Sequence, residues 1–179
     1  MNSSRPYFLF VGDRSGYKNF DGLLTAFAKV AAAENDVTLR VVGEPLSKTE
    51  QKLILEKGIT QRLEFMGRVN DDRLSELYAG SVALVYPSFY EGFGIPLLEA
   101  MTCGTAIIAA NRSSIPEVVG QAGLLFDPGR DELADAMLFL MHNPTARKAL
   151  IAAGDERVRQ FGWDKTIEET LRVYRDVAG

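Results

Sequence analysis

Six short apolar segments alternate along this chain with longer segments whose apolar residues recur at helical spacing. The short segments span 7–11, 37–42, 63–66, 82–86, 106–109 and 123–126. Glycine or proline directly follows four of them, as is typical of buried parallel strands that end in turns. Short strands that alternate with helices predict an α/β fold with a Rossmann-like, doubly wound parallel sheet of six strands. From residue 131 onward the pattern is helical throughout, so we expect C-terminal helices after the sheet.

Composition limits the kinds of function this chain can have. It has 179 residues, of which 46% are hydrophobic, so we expect one globular domain over residues 1–179. The formal net charge of −4 provides no basic surface for nucleic acid or for an anionic membrane. Cys103 is the only cysteine, which excludes an internal disulfide and a cysteine-built metal site. His142 is the only histidine, which argues against a His-ligated metal centre and a Ser-His-Asp triad.

The segment EGFGIPLLE, from Glu91 to Glu99, carries two carboxylates that flank a flexible turn. Gly92 and Gly94 allow a tight turn, and Pro96 suits the first residue of a helix because it needs no amide partner. Such a turn presents backbone N–H groups and the positive end of a helix dipole to one point, which favours an anion such as phosphate. Glu91 would lie before the helix and Glu99 about one turn inside it. This arrangement suits a ligand with a central phosphate and hydroxyl groups at both ends, such as a nucleotide sugar.

The loop after the first predicted strand adds two cations, Arg14 and Lys18. This loop lacks the G-x-G-x-x-G fingerprint and the P-loop pattern, which disfavours NAD and ATP sites of those kinds. Ligands of open α/β sheets bind at the carboxyl ends of strands, which is where the two cations lie. For any one of these charged residues the alternative is ordinary surface exposure, the usual state of Glu, Lys and Arg.

Local signals also predict helix starts and burial. Ser47 and Glu50 resemble a capping box, and Asn70 can cap the helix that follows it. Met137 and Trp163 are expected in the core rather than at a cofactor. His142 lies near a helix end and is expected at the surface.

Six short motifs occur in an order that carries a family resemblance. They are GYKN at 16–19, GRV at 67–69, PSxxEGFG at 87–94, EAM at 99–101, IPEVV at 115–119 and GLLF at 123–126. Through these motifs, the chain resembles the C-terminal, donor-binding domain of a retaining glycosyltransferase of family 4, which is also called glycosyl transferases group 1. The resemblance covers nearly the whole chain and implies one half of a GT-B fold, in which the active site lies between two Rossmann-like domains.

The resemblance implies a role for each matching residue. Arg14 and Lys18 would neutralise the diphosphate of the leaving group, and Glu91 would bind hydroxyl groups of the donor sugar, so these three are the candidate catalytic residues. Glu99 would accept hydrogen bonds from the ribose. The other donor-binding positions are Gly67, Arg68 and Val69 at the base edge, Ser88, Gly92, Phe93 and Gly94 around the sugar, and Ile95, Pro96 and Leu97 at the distal phosphate.

By the same resemblance, the chain is the donor half of a hexosyltransferase, with mannose favoured. The donor would be GDP-mannose or a UDP-hexose, used without a cofactor or metal. The acceptor would be a glycan or a lipid-linked molecule in bacterial polysaccharide or lipopolysaccharide synthesis. The N-terminal acceptor domain is absent from this chain, so the domain alone is expected to be inactive.

The resemblance also bears on location and partners. We expect a cytoplasmic enzyme, peripheral to the inner membrane at full length, with no membrane contact by this domain. The last predicted helix, from Trp163 to Val177, would return toward the missing domain. Part of its apolar face should therefore be exposed and would offer a surface for self-association.

Two alternatives stay open. One is a stand-alone module that binds sugar nucleotides, or a scaffold that pairs with a separate acceptor subunit. The other is a GT-B enzyme of different chemistry, such as a phosphorylase or a nucleotide-sugar epimerase. The single histidine argues against the epimerase.

Overall fold

A parallel sheet of six strands forms the centre of the computed structural model, which describes residues 5–178. The strands are β1 (Tyr7–Val11), β2 (Thr38–Val42), β3 (Leu63–Gly67), β4 (Ala83–Tyr86), β5 (Ile107–Ala110) and β6 (Leu124–Phe126). They pair in the order β3-β2-β1-β4-β5-β6, and every pairing is parallel. The predicted α/β, Rossmann-like sheet of six strands is therefore confirmed, and each strand begins and ends within one residue of its predicted bounds.

Eight helices connect and flank the strands in the described part of the chain. They are α1 (Phe20–Ala33), α2 (Lys48–Glu56), α3 (Asp71–Ala79), α4 (Ile95–Thr102), α5 (Ile115–Val119), α6 (Leu133–His142), α7 (Pro144–Val158) and α8 (Trp163–Ala178). Short 3₁₀ turns also occur at Gly16–Lys18 and Thr60–Arg62. None of the helices within residues 5–178 combines the length and the apolar character needed to cross a bilayer.

Helix starts follow the predicted caps. Ser47 Oγ accepts a hydrogen bond from the Glu50 amide, and the Glu50 carboxylate accepts one from the Ser47 amide at 2.6 Å, which confirms the capping box at α2. Asn70 Oδ1 accepts from the Arg73 amide at 3.0 Å and caps α3. The start of α4 was predicted one residue too late, because the helix begins at Ile95 and Pro96 is its second residue.

Both faces of the sheet are covered, so the residues of its central strands are mostly apolar and buried. Phe8, Leu9, Leu39 and Leu84 are fully buried. This is the pattern of a parallel sheet with helices on both sides. Met137 of α6 is also fully buried, as predicted. His142 is exposed at the end of α6, where its Nε2 atom lies 2.8 Å from Glu34 Oε1.

Helix α8 differs from the other long helices because it buries nothing. The core prediction for Trp163 was wrong, since this side chain is 80% exposed. No residue of α8 is buried against the rest of residues 5–178. Its apolar face, which includes Ile167, Leu171 and Tyr174, is exposed as the resemblance led us to expect. An apolar stripe predicts that a helix face can be buried, but it does not identify the surface that buries it. Within residues 5–178, no surface buries the apolar face of α8.

Candidate functional site

The order of the strands reverses between β1 and β4, which lie side by side at the centre of the sheet. In open α/β sheets, this switch point opens a crevice at the carboxyl ends of the two strands. The loops that follow β1 and β4 are joined there. The Phe89 amide donates to the Tyr17 carbonyl at 2.8 Å, and Asn19 Nδ2 donates to the Pro87 carbonyl at 3.2 Å. The two loops that carry the predicted catalytic residues therefore form one edge.

Lys18 and Glu91 meet at this edge although 73 positions separate them. Lys18 Nζ donates to Glu91 Oε1 at 2.8 Å, and the two side chains are only 15% and 10% exposed. The ring of Tyr86 lies beneath the ammonium group, with its centroid 5.7 Å from Nζ. Burial and the Glu91 carboxylate raise the pKa of the Tyr86 phenol, which keeps this group neutral. The structure thus brings together one predicted cation and one predicted carboxylate in a partly desolvated position.

Two serine hydroxyls hold the backbone of Glu91. Ser113 Oγ and Ser114 Oγ donate to the Glu91 carbonyl at 2.8 and 2.9 Å. Both serines follow β5, the next strand along the sheet, and Ser113 has a positive φ of 53°. Neither serine was among the predicted site residues. The adjacency of β4 and β5, which a doubly wound order provides, was the signal that could have linked them to Glu91.

The start of α4 offers fewer free amides than predicted. Gly94 precedes the helix with φ of +100°, and a Cβ at this position would lie 2.8 Å from Leu97 Cδ1, so glycine is required there. Pro96 has no N–H group, and the Leu97 amide donates to the Gly94 carbonyl at 2.9 Å. The prediction that the amides of 95–97 together face a phosphate therefore needs correction. Within that run, only the Ile95 amide stays available at the positive end of the helix.

Arg14 does not join the Lys18–Glu91 pair. Its Nε donates to Glu50 Oε1 at 2.6 Å, and its Nη2 donates to the carbonyls of Glu44 and Pro45 at 2.7 and 2.9 Å. The side chain is only 5% exposed. Arg14 turns toward the β2–α2 loop and the start of α2, because the loop supplies two carbonyls and the helix supplies a carboxylate within its reach. Its contact with a diphosphate stays a prediction.

Glu99 lies on α4, where its Oε2 accepts a hydrogen bond from the Tyr78 hydroxyl at 2.8 Å. Tyr78 belongs to α3 and is 1% exposed. A groove of about 330 Å³ runs between the two helices beside Glu99, and its walls also include Leu74, Leu98 and Cys103. Tyr78 was not among the predicted site residues, because helical spacing does not show which polar group of one helix meets a residue of another.

The other predicted donor-binding residues lie near the ends of β3 and β4. Gly67 ends β3 with φ of +69°, and the neighbouring Arg68 is exposed and donates from Nε to Glu44 Oε1 at 2.6 Å. Ser88 is buried, and its hydroxyl has no hydrogen-bond partner among residues 5–178. Phe93 is exposed and packs edge-on against Phe161, with ring centroids 5.7 Å apart. No group of three His, Cys, Asp or Glu side chains arranged to hold a metal occurs in the described part of the chain.

These features define the class of fold: a doubly wound α/β sheet whose switch-point crevice is lined by a cation, carboxylates and a helix start. The chain belongs to the glycosyl transferases group 1 family, whose sequence model matches residues 1–157. The O-antigen chain mannosyltransferase B of Escherichia coli is 34% identical over 174 residues, covering 94% of this chain and 45% of that protein. The MMP alpha-(1->4)-mannosyltransferase of Mycolicibacterium hassiacum is 36% identical over 164 residues, covering 88% and 39%. This chain therefore spans less than half the length of these relatives.

Solved structures show the same fold. A sucrose-phosphate synthase from Thermosynechococcus elongatus matches with a TM-score of 0.84 and 26% identity, over 99% of this chain and 46% of that chain. HepE from Anabaena, in complex with UDP-glucose, matches with a TM-score of 0.79 and 25% identity, over 96% and 50%. The C-terminal domain of a group 1 protein from Francisella tularensis matches in fold with a TM-score of 0.75, over 87% of both chains. The chain has the fold of one half of a GT-B glycosyltransferase.

Proposed function

We propose that this chain is the donor-binding half of a hexosyltransferase and that it binds a nucleotide-diphospho-sugar at the switch-point crevice. The observation that carries the proposal is the Lys18–Glu91 pair, 2.8 Å apart at the edge where β1 and β4 end. A cation and a carboxylate held together there match the two parts of such a ligand, since one faces phosphate and the other faces hydroxyl groups.

In this proposal the leaving diphosphate is stabilised by fixed charge. Lys18 supplies a compact positive charge, and the start of α4 adds its dipole and the Ile95 amide. Charge stabilisation of this kind is often the largest contribution to catalysis. Glu91 accepts hydrogen bonds from hydroxyl groups of the sugar. Arg14 is held through Nε and Nη2, and its buried Nη1 has no hydrogen-bond partner among residues 5–178, so Arg14 would reach the diphosphate either through Nη1 or by leaving the Glu50 carboxylate.

The nucleoside would extend from the crevice toward β3. Glu99 accepts hydrogen bonds from the ribose, and the backbone of residues 67–69 meets the edge of the base. Backbone groups are the same whatever the side chains, so these positions favour no particular base. The buried and unpartnered Ser88 hydroxyl supports a ligand contact close to Glu91.

We propose mannose as the transferred sugar, with GDP-mannose as donor and a UDP-hexose as the alternative. Several relatives support this choice by name, including the O-antigen chain mannosyltransferase B and a phosphatidyl-myo-inositol mannosyltransferase of Mycobacterium leprae. We propose a glycan or lipid-linked acceptor in bacterial polysaccharide or lipopolysaccharide synthesis, and the O-antigen chain in the name of the first relative supports the glycan. The complex of HepE with UDP-glucose supports the alternative donor.

The reaction would retain the anomeric configuration and would need no metal, because Lys18 and the start of α4 take the place of a cation at the phosphates. The acceptor would bind to a second domain, since the relatives are more than twice as long as this chain. We therefore propose that the chain alone binds the donor without transferring sugar. The exposed apolar face of α8 is the surface we propose for contact with the second domain or with another copy.

Calorimetric titration of this chain tests the proposal. GDP, UDP and ADP are titrated first, then the matching sugar nucleotides, with and without EDTA. We expect one nucleoside diphosphate to bind selectively, with an affinity that EDTA does not change. Lys18→Ala should weaken that binding at least tenfold, because it removes a charge-assisted contact to phosphate.

Lys52→Ala is the matched control for this experiment. Lys52 is an exposed lysine on α2 whose Nζ atom lies 3.5 Å from Glu56 Oε1. It does not belong to the proposed site. Equal losses in the two variants would show a general effect of charge and contradict the site assignment. Absence of binding to all three nucleotides would contradict donor binding by this chain.

A further inference from the structure

The carboxylate of Glu99 is anchored by a single buried hydroxyl. Tyr78 donates from α3 to Glu99 Oε2 on α4 at 2.8 Å. The phenol O–H is the donor and the carboxylate oxygen is the acceptor. The second oxygen, Oε1, is not engaged by this hydroxyl and is left for another donor.

We propose that Tyr78 is a positioning residue, which fixes the carboxylate of Glu99 so that it accepts hydrogen bonds from the ribose hydroxyls and discriminates ribonucleotides from deoxyribonucleotides. This inference rests on the proposed function, because it needs a nucleoside at Glu99. Tyr78 itself would not touch the ligand, since it is 1% exposed beneath the carboxylate.

The physical argument begins with the freedom of the glutamate side chain. The last torsion of Glu is broad, so an unanchored carboxylate samples many orientations. A hydrogen bond to Oε2 restricts the carboxylate plane before any ligand arrives. Pre-organised acceptors lose less freedom on binding and therefore give a larger share of their hydrogen-bond energy to affinity.

The surroundings of the pair strengthen this effect. Leu74 and Leu98 line the groove beside it, and apolar walls make a hydrogen bond stronger than it would be in water. Burial and the neighbouring Glu99 carboxylate raise the pKa of the Tyr78 phenol. A raised pKa keeps the hydroxyl protonated, and therefore a hydrogen-bond donor, at neutral pH.

Tyr78→Phe removes the hydroxyl group and leaves the ring in place. The nucleoside diphosphate selected from GDP, UDP and ADP is titrated into both proteins, together with its 2′-deoxy and 3′-deoxy forms. We expect wild type to prefer the ribonucleotide by roughly ten- to a hundredfold, as for a hydrogen bond to a charged group. In Tyr78→Phe, the preference should fall by roughly three- to tenfold, because Glu99 is no longer oriented.

The readout is the ratio of affinities, because a purely structural role would not change it. Loss of packing or stability would weaken ribonucleotide and deoxyribonucleotide together. Tyr7→Phe is the matched control, since Tyr7 is also a buried tyrosine, and its hydroxyl donates to the Leu77 carbonyl of α3 at 2.9 Å. This variant loses a buried hydrogen bond next to Tyr78 but should keep the wild-type preference.

Glu99→Gln provides a second route that does not depend on Tyr78→Phe being well folded. It should reduce the preference for ribose by itself, and adding Tyr78→Phe to it should cause little further change, since both act through the same group. Additive losses in the double variant would contradict the proposal.

The outcomes separate this inference from the function on which it rests. Selective nucleotide binding with the same ribose preference in wild type and Tyr78→Phe would overturn the role of Tyr78 alone. Wild-type chain that binds none of the three nucleotides would overturn both.

Discussion

Arg14 and Lys18 are four positions apart on one loop, yet the structure gives them different surroundings. Lys18 reaches across the switch point to Glu91 on the loop after β4, at 2.8 Å. Arg14 turns the other way to Glu50 at the start of α2, at 2.6 Å, and adds two backbone carbonyls. Both pairs join a cation to a carboxylate, but only the first lies in the crevice.

The Lys18–Glu91 pair can therefore exchange partners, whereas the Arg14–Glu50 pair holds the loop after β1 against the start of α2. Lys18 has one carboxylate partner in the crevice, and a phosphate group would compete for it directly. Arg14 donates to three acceptors through Nε and Nη2, its Nη1 has no partner among residues 5–178, and its side chain is almost fully buried. We infer that Lys18 acts on the ligand, whereas Arg14 fixes the loop from which Lys18 projects.

The largest expected effect is on transfer. Lys18→Ala and Glu91→Ala should each lower kcat of the enzyme that contains this chain, by about 10²–10³, as for loss of one pre-organised contact in a catalytic site. The measurement is steady-state transfer from the sugar nucleotide that binds best. Lys52→Ala should transfer at the wild-type rate. Near-normal turnover in either site variant would show that the Lys18–Glu91 pair is not catalytic.

Arg14→Ala should act mainly on stability. It leaves the Glu50 carboxylate largely buried without its partner, and we expect the free energy of unfolding to fall by on the order of 3 kcal/mol. The free energy of unfolding of each variant is measured by urea unfolding monitored by circular dichroism. Arg68→Ala is the control, because Arg68 also pairs with a glutamate but is 82% exposed, so its loss should cost about 0.5 kcal/mol.

The opposite result for Arg14 would also be informative. A variant with wild-type stability and a rate lowered as much as in Lys18→Ala would restore Arg14 as a direct phosphate contact. It would mean that Arg14 contacts the donor through its unpartnered Nη1, or that the Glu50 pair opens when the donor binds.

Glu99→Ala extends the comparison to the nucleoside end of the site. It should raise the nucleotide Kd roughly tenfold to a hundredfold, because a hydrogen bond to a charged group is lost. At saturating donor, kcat should change less than in Lys18→Ala, since ribose contacts are made equally in the ground state and the transition state. Titration and steady-state kinetics on the same variant check this. A variant with a lower kcat but an unchanged nucleotide Kd would contradict the assignment of Glu99 as a ribose contact.

The smallest expected effect is a dependence of stability on pH. Burial acts to raise the pKa of Glu50, but hydrogen bonds from Arg14 and Ser47 outweigh it and leave the pKa below its usual 4.5. A carboxyl whose pKa is lowered by folding adds stability above the unfolded-state pKa, and that stability is lost as the pH falls through the folded-state pKa. Wild type should therefore lose stability below about pH 4.5 more steeply than Glu50→Gln. Urea unfolding between pH 7 and pH 3 measures the slopes. Glu56→Gln, at an exposed position of the same helix, should keep the wild-type slope.

Much of the local structure followed from short-range signals. The strands were predicted to within a residue because buried parallel strands are mostly apolar, and four of the six predicted segments are followed directly by glycine or proline. The caps at Ser47 and Asn70 were predicted because a side-chain oxygen and an amide three residues later are always within reach of each other. The prediction that Trp163 lies in the core was wrong because burial cannot be predicted from the helix alone. An apolar stripe shows what a helix can bury, but burial needs a partner surface.

For the site, the sequence by itself determined which residue types are present at the carboxyl edge: two cations after β1, a carboxylate before α4 and another inside it. Only the tertiary structure decided how they pair. Lys18 meets Glu91 because β1 and β4 are neighbours in the sheet, and Arg14 meets Glu50 because β1 and β2 are neighbours on the other side. Tyr78 meets Glu99 because α3 and α4 pack side by side. A side chain can pair only with groups that lie within a few ångströms of it. The order of the strands in the sheet determines which groups those are, and no local sequence pattern encodes that order.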